Sequence, residues 1–597
     1  MSPKKDRSAK SFKLDLLFFR RFWCCLRIIF PRWLSTTTLL FLILLGLSLA
    51  EQMLIYNTGL IPSQFYEVLG TRDKEDFRSL IVVSLSFIIG TALGKSLVQY
   101  VSNLSYVKWR SLLTQYLHKG YFNLDSYYNL NVLEQSIDNP DQRITQDVDR
   151  FCKQFSQIIA SLIISPFTIA YYTYQCYSSA GYIGPVSIFG YFLVGTIINK
   201  LIMSPIISLV VRQEKLEGDF RFKHMQIRVN SEALAFYRSG MLEERRTNGR
   251  LQNLLNIQQR LVNYEFFLNF SVNFFDYVGA ILSYIIIAVA LFAGKYDALS
   301  PTALSAEISK NSFVSMFLIG CFTQLIDLSN SVSDMAGYTH RIGELIETLM
   351  KKEKKGEDKS PKSSSESLDM LRTGCIFQLE SVSYAAPKSS ELLVRDLNLN
   401  IIPGQNILIT GKTGSGKSSL LRVMSNLWKP VSGTVVRNLS FDPSNIIFLP
   451  QRALLSDGSL KQQVIYPYDK PIEQRFQENG QMDDEKILSI LEDVGLTTVY
   501  HRVGGIDENI EGNWEDMLSP GEMQRLAFAR LFYHKPVIAM IDEATSALDT
   551  KTEKEMYENC KQLGITLVSI GHRETLFDYH QLNLWLSGIG DWDLREI

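Results

Sequence analysis

Long apolar segments in the first 335 residues constrain the fold of this 597-residue chain more than any other feature. A helix needs about 20 mostly apolar residues to cross the hydrocarbon core of a bilayer. Six segments reach or approach that length: about 36–57, 80–102, 155–176, 183–206, 266–293 and 312–331. The sequence therefore predicts a membrane protein with six transmembrane helices and the lipid bilayer as its surroundings.

The average composition conceals this asymmetry, and the remaining counts exclude other classes of protein. Hydrophobic residues make up only 46% of the whole chain. The average is this low because the last third has the mixed polar and apolar composition of a soluble α/β domain. The net charge of -1 lacks the basic footprint of a nucleic-acid-binding protein, so we expect no nucleic acid partner. The seven cysteines show no C-x-x-C pair, which predicts free thiols rather than a disulfide or zinc framework.

Clusters of Lys and Arg predict which side of the membrane each connection occupies. The first 35 residues are basic, and residues 18–34 mix aromatic and aliphatic side chains with arginines, as in a helix lying at the membrane interface. The stretch 207–262 is also rich in Arg and Lys. Both regions, and the region after the sixth span, are therefore predicted to be cytosolic.

Four parts of the chain follow from this pattern. We expect a cytosolic arm with an interfacial helix at 1–35, a transmembrane domain at 36–335, a flexible linker at 336–370 and a nucleotide-binding domain at 371–597. The two long cytosolic loops, 103–154 and 207–265, are rich in helix formers and predict membrane helices that continue into the cytosol. The linker prediction depends on residues 351–367, which are charged, rich in Ser and nearly free of apolar side chains.

A phosphate-binding loop follows a predicted strand at 407–410 and precedes a predicted helix at 419–426. Its sequence, G-K-T-G-S-G-K-S, matches the P-loop pattern in the context that gives that pattern meaning. Backbone N–H groups of such a loop surround phosphates, Lys417 would reach the β- and γ-phosphates, and Ser418 would hold Mg²⁺. The predicted nucleotide-binding residues of the loop are Gly411, Lys412, Thr413, Gly414, Ser415, Gly416, Lys417 and Ser418. ATP and Mg²⁺ are the expected cofactors.

A second apolar strand, at 537–541, ends in two carboxylates. Asp542 stands where a carboxylate can coordinate Mg²⁺ and so contribute to nucleotide binding. Glu543 stands where a general base can accept a proton from the attacking water. These residues predict that the domain hydrolyses ATP.

Between these motifs, the run L-S-P-G-E-M-Q-R at residues 518–525 resembles the signature of ATP-binding cassette transporters. The resemblance implies that Gln451 contacts Mg²⁺ and takes part in catalysis. It also implies that His572 senses the γ-phosphate as a catalytic residue and that Tyr384 stacks on adenine. It also implies that residues 546–549 form the D-loop at a dimer interface. Ser519 and Gly521 of the signature are implied to approach the γ-phosphate.

The signature departs from the usual L-S-G-G-Q at two positions. Pro520 removes one backbone N–H, and Glu522 brings a negative charge near the expected nucleotide. We therefore expect ATP hydrolysis to be retained but slow. In the family, the P-loop of one cassette faces the signature of another, so one cassette per chain implies a half-transporter that pairs with a second copy of itself.

Other stretches resemble subfamily D of these transporters, whose members handle acyl-CoA esters in peroxisomes or cobalamin in lysosomes. They are G-L-I-P-S-Q at 59–64, D-N-P-D-Q-R-I at 138–144, S-E-A-L-A-F-Y at 231–237 and Q-V-I-Y-P at 463–467. The resemblance is greatest to the branch that exports cobalamin from the lysosomal lumen to the cytosol. Two alternatives stay open: a peroxisomal-type transporter of fatty acyl-CoA, and a membrane scaffold that binds ATP with little hydrolysis.

The same resemblance implies a multi-pass lysosomal membrane protein whose cassette is cytosolic. It also implies an earlier stage in the endoplasmic reticulum membrane, and a second lysosomal membrane protein of the cobalamin pathway as a partner in delivery.

Ionisable side chains inside predicted spans are costly in hydrocarbon and usually face a bundle interior or a wet pathway. Glu51, Asp276 and Asp327 are therefore candidates for the translocation path. Lys95 and Lys200 lie nearer the ends of their spans, where long side chains reach the interface, and we expect them there.

Overall fold

Nearly every described residue between 16 and 357 lies in a helix in the computed structural model. The structure describes residues 16–123, 125–134, 137, 139–297, 299–357, 374–387, 389, 391–468, 481–510 and 512–597. The helices of the first unit are α1 Leu16–Ile29, α2 Thr36–Thr71, α3 Lys74–Tyr121, α4 Ser126–Tyr128, α5 Pro140–Gln142, α6 Val148–Ala180, α7 Ile183–Val229, α8 Ser231–Phe236, α9 Gly240–Phe292 and α10 Pro301–Glu357. Short π-helical segments, Asn129–Glu134 and Arg143–Asp147, flank α5.

Five stretches among the described residues are long and apolar enough to cross a membrane: Thr36–Thr71, Lys74–Tyr121, Pro140–Ala180, Ile183–Val210 and Gly240–Phe292. They contain the first five predicted spans, except that the fifth ends one residue earlier. The sixth predicted span, 312–331, lies within α10 and is helical.

Four helices are much longer than a bilayer is thick. α3, α7, α9 and α10 contain 48, 47, 53 and 57 residues, and at 1.5 Å per residue they are about 70–86 Å long, against a hydrocarbon core of about 30 Å. The membrane helices do continue into the two long loops, since α3 extends to Tyr121 and α7 and α9 enter the loop 207–265 from its two ends.

Helix α1 has one face against the protein and another that is exposed. Cys25 and Ile29 are fully buried in a cluster with residues of α3, α6 and α10. The Arg21 guanidinium contacts the Glu347 carboxylate of α10 at 2.9 Å. Phe19 and Trp23 are 58% and 62% exposed, which is the two-sided character expected of an interfacial helix.

The predicted linker at 336–370 is wrong for its first part, because α10 continues to Glu357. Ile342, Leu345, Ile346 and Leu349 follow the spacing of one helix face and are buried in the cluster that holds α1. These apolar residues stabilise the helix beyond the predicted boundary at 335. Residues 358–370 of the predicted linker lie outside the described residues.

The second unit contains two sheets. A three-stranded antiparallel sheet has the order β2-β1-β4, with β1 Phe377–Ala385, β2 Leu392–Ile401 and β4 Ser432–Arg437. A six-stranded sheet has the order β5-β6-β7-β3-β8-β9, with β3 Ile407–Gly411, β5 Ile446–Leu449, β6 Ile538–Asp542, β7 Thr566–Ile570, β8 Leu582–Leu586 and β9 Trp592–Glu596. Its pairs are parallel except for β8 with β9.

This strand order positions the nucleotide motifs. β7 lies between β3 and β6. The P-loop follows β3, Asp542 ends β6 and His572 follows β7, so these three motifs meet at the edge formed by the carboxyl ends of the strands. The helices of this unit are α11 Lys417–Met424, α12 Leu460–Ile465, α13 Gln481–Asp493, α14 Thr497–Val503, α15 Trp514–Met517, α16 Pro520–His534 and α17 Thr550–Gln562. The predicted soluble α/β domain is confirmed.

Candidate nucleotide site and membrane cavity

The loop between β3 and α11 requires glycine at several positions. Gly411, Gly414 and Gly416 have φ values of 140°, 83° and 98°, which side chains rarely allow. A Cβ on Gly411 would lie 2.3 Å from the carbonyl oxygen of Leu586 on the neighbouring strand β8. The loop therefore depends on glycine both for its backbone conformation and for its close contact with the sheet.

Lys417 is the first residue of α11, and its side chain turns back toward the loop. The Nζ donates hydrogen bonds to the carbonyl oxygens of Gly411 and Lys412, both at 3.0 Å. Burial lowers the pKa of Lys417, while the nearby carboxylates of Asp542 and Glu543 oppose that shift. The ammonium is thus held inside the loop, where phosphate oxygens could replace the two carbonyl acceptors.

Ser418 and Asp542 form a pair of oxygen ligands beside the loop. The Ser418 hydroxyl donates to Asp542 Oδ1 at 2.9 Å. Burial raises the pKa of Asp542, and the charge of Glu543 adds to that shift. A hydroxyl and a carboxylate are oxygen donors of the kind that Mg²⁺ prefers, and a cation would offset the cost of burying the carboxylate charge.

Glu543 has both carboxylate oxygens engaged. Gln451 Nε2 donates to Oε2 at 2.9 Å, and His572 Nε2 lies 3.2 Å from Oε1. The backbone of Glu543 has φ 50°, and its N–H donates to the carbonyl oxygen of Ile570 at 3.1 Å. A non-glycine residue in this region is strained, and such strain is concentrated at functional sites.

Tyr384 differs from the prediction. Its ring is fully buried, and its hydroxyl donates to the carbonyl oxygen of Gly416 at 3.2 Å. A ring without an exposed face has no surface on which adenine can stack unless the ring moves. The structure thus favours a role beneath the P-loop, supporting its last glycine, over the predicted stacking.

The two unusual residues of the signature form a helix cap. Ser519 is the N-cap of α16, Pro520 is its first residue, and Glu522 completes a capping box. The Glu522 N–H donates to Ser519 Oγ at 3.3 Å, and the Ser519 N–H donates to Glu522 Oε2 at 2.8 Å. Proline is well tolerated at this position because the N–H that it lacks has no acceptor within the helix.

The charge of Glu522 is neutralised within the chain. Arg502, on α14, donates to Glu522 Oε1 at 2.8 Å, and this hydrogen bond is the main reason that the pKa of Glu522 is lowered. Glu522 is buried, whereas Ser519 is exposed. The expected negative charge near the nucleotide is therefore paired with a guanidinium.

The structure brings together Lys417, Ser418, Gln451, Asp542, Glu543 and His572. Ser519 and Gly521 have other neighbours: Ser519 bonds to Glu522, and a Cβ on Gly521 would lie 3.2 Å from the carbonyl oxygen of Ala547 in the predicted D-loop. These signature residues thus form a separate, partly exposed surface.

Sequence reasoning missed three residues that position these segments. Gln524 bonds to Ser546 Oγ and to the N–H of Ala547, and Arg573 donates to the carbonyl oxygens of Ser546 and Leu548. Arg502 pairs with Glu522. None of these contacts has a local signal in the sequence, because each joins residues that are distant along the chain. The capping box of Ser519 and Glu522 does have one, since its two residues are three positions apart.

In the membrane unit, a cavity of about 460 Å³ lies among α2, α3, α6 and α10. Its lining is unusually polar for a bundle of spans: Ser48, Glu51, Gln52, Lys95, Gln99, Ser102, Ser156, Gln157, Ser161, Ser165, Thr168 and Gln324 contribute to it. Glu51 thus lies where a path candidate was expected. Lys95 also lines this cavity rather than only reaching toward the interface.

Asp276 and Asp327 do not line this cavity, and both side chains are exposed on the single chain. Lys200 is exposed as well. The predicted path candidates therefore do not form one cluster within a protomer.

Comparison with known proteins covers both units. A family model described as ABC transporter transmembrane region 2 matches residues 25–292, and one described as ABC transporter matches residues 394–546. The protein named lysosomal cobalamin transporter ABCD4 from Mus musculus is 51% identical over 98% of this chain and 97% of its own length. The protein of the same name from Homo sapiens has the same identity and coverage. ABC transporter D family member 3 of Dictyostelium discoideum is 30% identical over 99% of this chain and 90% of its own length.

Proposed function

The chain belongs to the ABC transporters of subfamily D, and on that premise we propose that two copies of it use ATP to move cobalamin from the lysosomal lumen to the cytosol. Members of this family couple ATP hydrolysis to transport, and the chain is an ATP hydrolase of this kind. One observation carries the choice of cargo. Identity of 51% extends over 98% of the chain to two relatives named for cobalamin.

The cassette residues act on ATP by position. Lys417 exchanges its carbonyl acceptors for oxygens of the β- and γ-phosphates. Glu543, held between Gln451 and His572, orients the attacking water and accepts its proton. His572 then lies beside the developing charge at the γ-phosphate.

Mg²⁺ fits the oxygen donors present. Ser418 and Asp542 would hold the ion, and Gln451, through its side-chain oxygen, would complete its surroundings. When bound, the ion supplies charge neutralisation at the phosphates.

The separation of the two surfaces supports a dimer of two copies of the chain. Ser519 bonds to Glu522 and Gly521 lies against Ala547, and neither contacts the P-loop in the described structure, so we assign both to the ATP held by the second copy. Ser519 is exposed at the start of α16, where its hydroxyl and the N–H of Gly521 can meet a phosphate. Two equivalent composite sites result.

The polar cavity supports a polar cargo. Glu51 and Lys95 put two ionisable groups among hydroxyl and amide side chains, which suit a corrinoid with many amides better than a fatty acyl chain. Asp276 and Asp327 lie outside this cavity and are exposed on the single chain. We therefore propose that this cavity is one part of a path completed by the second copy, to which Asp276 and Asp327 also contribute.

Reconstitution in liposomes tests this function. Cobalamin should stimulate ATPase activity and move across the bilayer only with ATP, and Glu543→Gln liposomes serve as the matched control. Stimulation by long-chain acyl-CoA without any response to cobalamin would favour the acyl-CoA alternative. A purified chain that never turns over ATP, alone or with cargo, would favour the scaffold.

Localisation is tested separately by imaging. We propose that the chain passes through the endoplasmic reticulum membrane and reaches the lysosomal membrane with a second lysosomal membrane protein, its cassette facing the cytosol. A tagged chain should accumulate in lysosomes with that partner and remain in the endoplasmic reticulum without it. An unchanged distribution would contradict the partner's role in delivery.

A further inference from the structure

The ion pair between Arg502 and Glu522 joins α14 to the first turn of α16, where the signature begins the helix. Arg502 Nη2 is 2.8 Å from Glu522 Oε1, and Nη1 lies 3.4 Å from Oε2 and 3.0 Å from the carbonyl oxygen of Met517. One guanidinium therefore contacts the chain on both sides of Ser519. A planar guanidinium with two bonds to one carboxylate fixes geometry better than a single point charge does.

Glu522 has two tasks that conflict without Arg502. Its Oε2 accepts the Ser519 N–H, which holds the N-cap in place, and this requires the carboxylate at the first turn of α16. The same turn is the end of the helix that meets the phosphates of the second copy. An unpaired carboxylate there would repel a triphosphate as ATP approaches this exposed end of the helix.

We propose that Arg502 is a positioning residue that neutralises Glu522, so that a signature capped by glutamate can accept ATP. The pair replaces what a neutral glutamine at residue 522 would provide in the usual signature: a cap without a net charge. Pro520 strengthens the need for it, because the first turn lacks one N–H that could offset the carboxylate. The inference rests on the proposed dimer and not on the identity of the cargo.

The discriminating experiment is a rescue. Full-length chain in nanodiscs, without cargo, is assayed for steady-state ATP hydrolysis as Arg502→Ala, Glu522→Gln and the double variant. We expect R502A to raise the KM for ATP about tenfold, the size of a lost charged hydrogen-bond pair, with a smaller change in kcat. E522Q keeps a capping side chain and removes the charge, so the double variant should return to within about threefold of E522Q alone.

Ionic strength gives a second readout. The rise in KM for R502A should shrink between about 50 and 500 mM salt, because salt screens the repulsion between the carboxylate and the phosphates. Arg525→Ala is the matched control. Arg525 lies on the same helix and donates to the carbonyl oxygen of Gly495 at 2.7 Å, so E522Q should not reverse any effect of its loss.

Three results would overturn the inference: an unchanged KM in R502A, a double variant as impaired as R502A, or a defect that salt does not alter. The last two would mean that Arg502 only holds α14 against α16. Should R502A fail to fold, Arg502→Met keeps the aliphatic stem and carries the same expectations. A wild-type chain without any ATPase activity would instead contradict the proposed function.

Discussion

The residues assigned to ATP in the cassette contact one another, whereas the three path candidates predicted within the membrane spans do not line one cavity. Glu543 bonds to Gln451 and lies within 3.2 Å of His572. Asp276 and Asp327 do not line the cavity that contains Glu51. The difference reflects how each site is specified: short motifs at adjacent strand ends define the first, and the packing of separate long helices defines the second.

The strongest test of the cassette side of this comparison is Glu543→Gln. We expect the kcat for ATP hydrolysis to fall at least about 100-fold, because the general base is lost, while ATP binding is retained. Phosphate release and the affinity for a fluorescent ATP analogue measure the two effects. Glu555→Gln, on an exposed position of α17, should leave both unchanged. Undiminished phosphate release in E543Q would remove Glu543 from the mechanism.

Two glycines of the same loop offer a second test. Gly411→Ala should weaken ATP binding by about 100-fold, since its Cβ would meet the carbonyl oxygen of Leu586 at 2.3 Å and strands β3 and β8 would have to separate. The Cβ added by Gly414→Ala would have no neighbouring atom within 4 Å. Its only cost is the conformational free energy of an alanine at φ 83°, about 1–2 kcal/mol. Binding isotherms of the two purified variants compare them. Equal losses would show that backbone conformation, not the contact with β8, limits the loop.

The membrane side of the comparison is sharpened by Glu51→Gln and Asp276→Asn. We expect E51Q to reduce cargo-stimulated ATPase activity about three- to tenfold, because a partly buried carboxylate of the cavity that could bind a polar cargo is removed. D276N should reduce the stimulated activity less, because the Asp276 side chain is exposed in the single chain. The ratio of stimulated to basal activity in liposomes is the measurement. A larger defect in D276N would place the path at the surface between two copies.

The smallest expected effect is a dependence of cassette stability on pH. Burial lowers the pKa values of His534 and His580 from the usual 6.5. A histidine whose folded pKa is lowered remains neutral while the unfolded chain takes up a proton. Stability is therefore full above pH 6.5 and falls as the pH drops below it.

Thermal unfolding of the full chain between pH 7.5 and 5.5 should reveal this loss as a lower unfolding temperature at the acid end. His534→Gln should weaken the pH dependence. His501→Gln, at an exposed position, is its control. A pH dependence that H534Q leaves intact would contradict the role of burial at this residue.

Much of the fold was predictable because its signals are local. Apolar length predicted the spans, and a strand followed by G-x-x-x-x-G-K-S predicted the P-loop at the end of β3. The boundary at 335 was wrong because the charged stretch from 351 dominated the prediction, while Ile342 to Leu349 gave a helical pattern of their own. Tyr384 shows a different limit: a tyrosine at the end of a strand has the same sequence signal whether its ring is buried or free.

The site contacts that sequence could not provide join distant segments. Arg502 and Glu522 lie on two helices, and Arg573 reaches the backbone of 546–548. Periodicity and motif spacing describe neighbours along one element, so a side chain that meets a carbonyl from another element leaves no trace in them. The polar cavity is of the same kind, because four helices contribute to it.

The length of α9 gives the membrane unit a mechanical property. Its 53 residues contain no proline, so about 80 Å of uninterrupted helix crosses a hydrocarbon layer of about 30 Å and continues for about 50 Å beyond it. A stiff rod of this kind is a lever. A tilt of about 5° about a pivot in the bilayer displaces its far end by about 4–6 Å, which brackets the rise of about 5.4 Å for one helical turn.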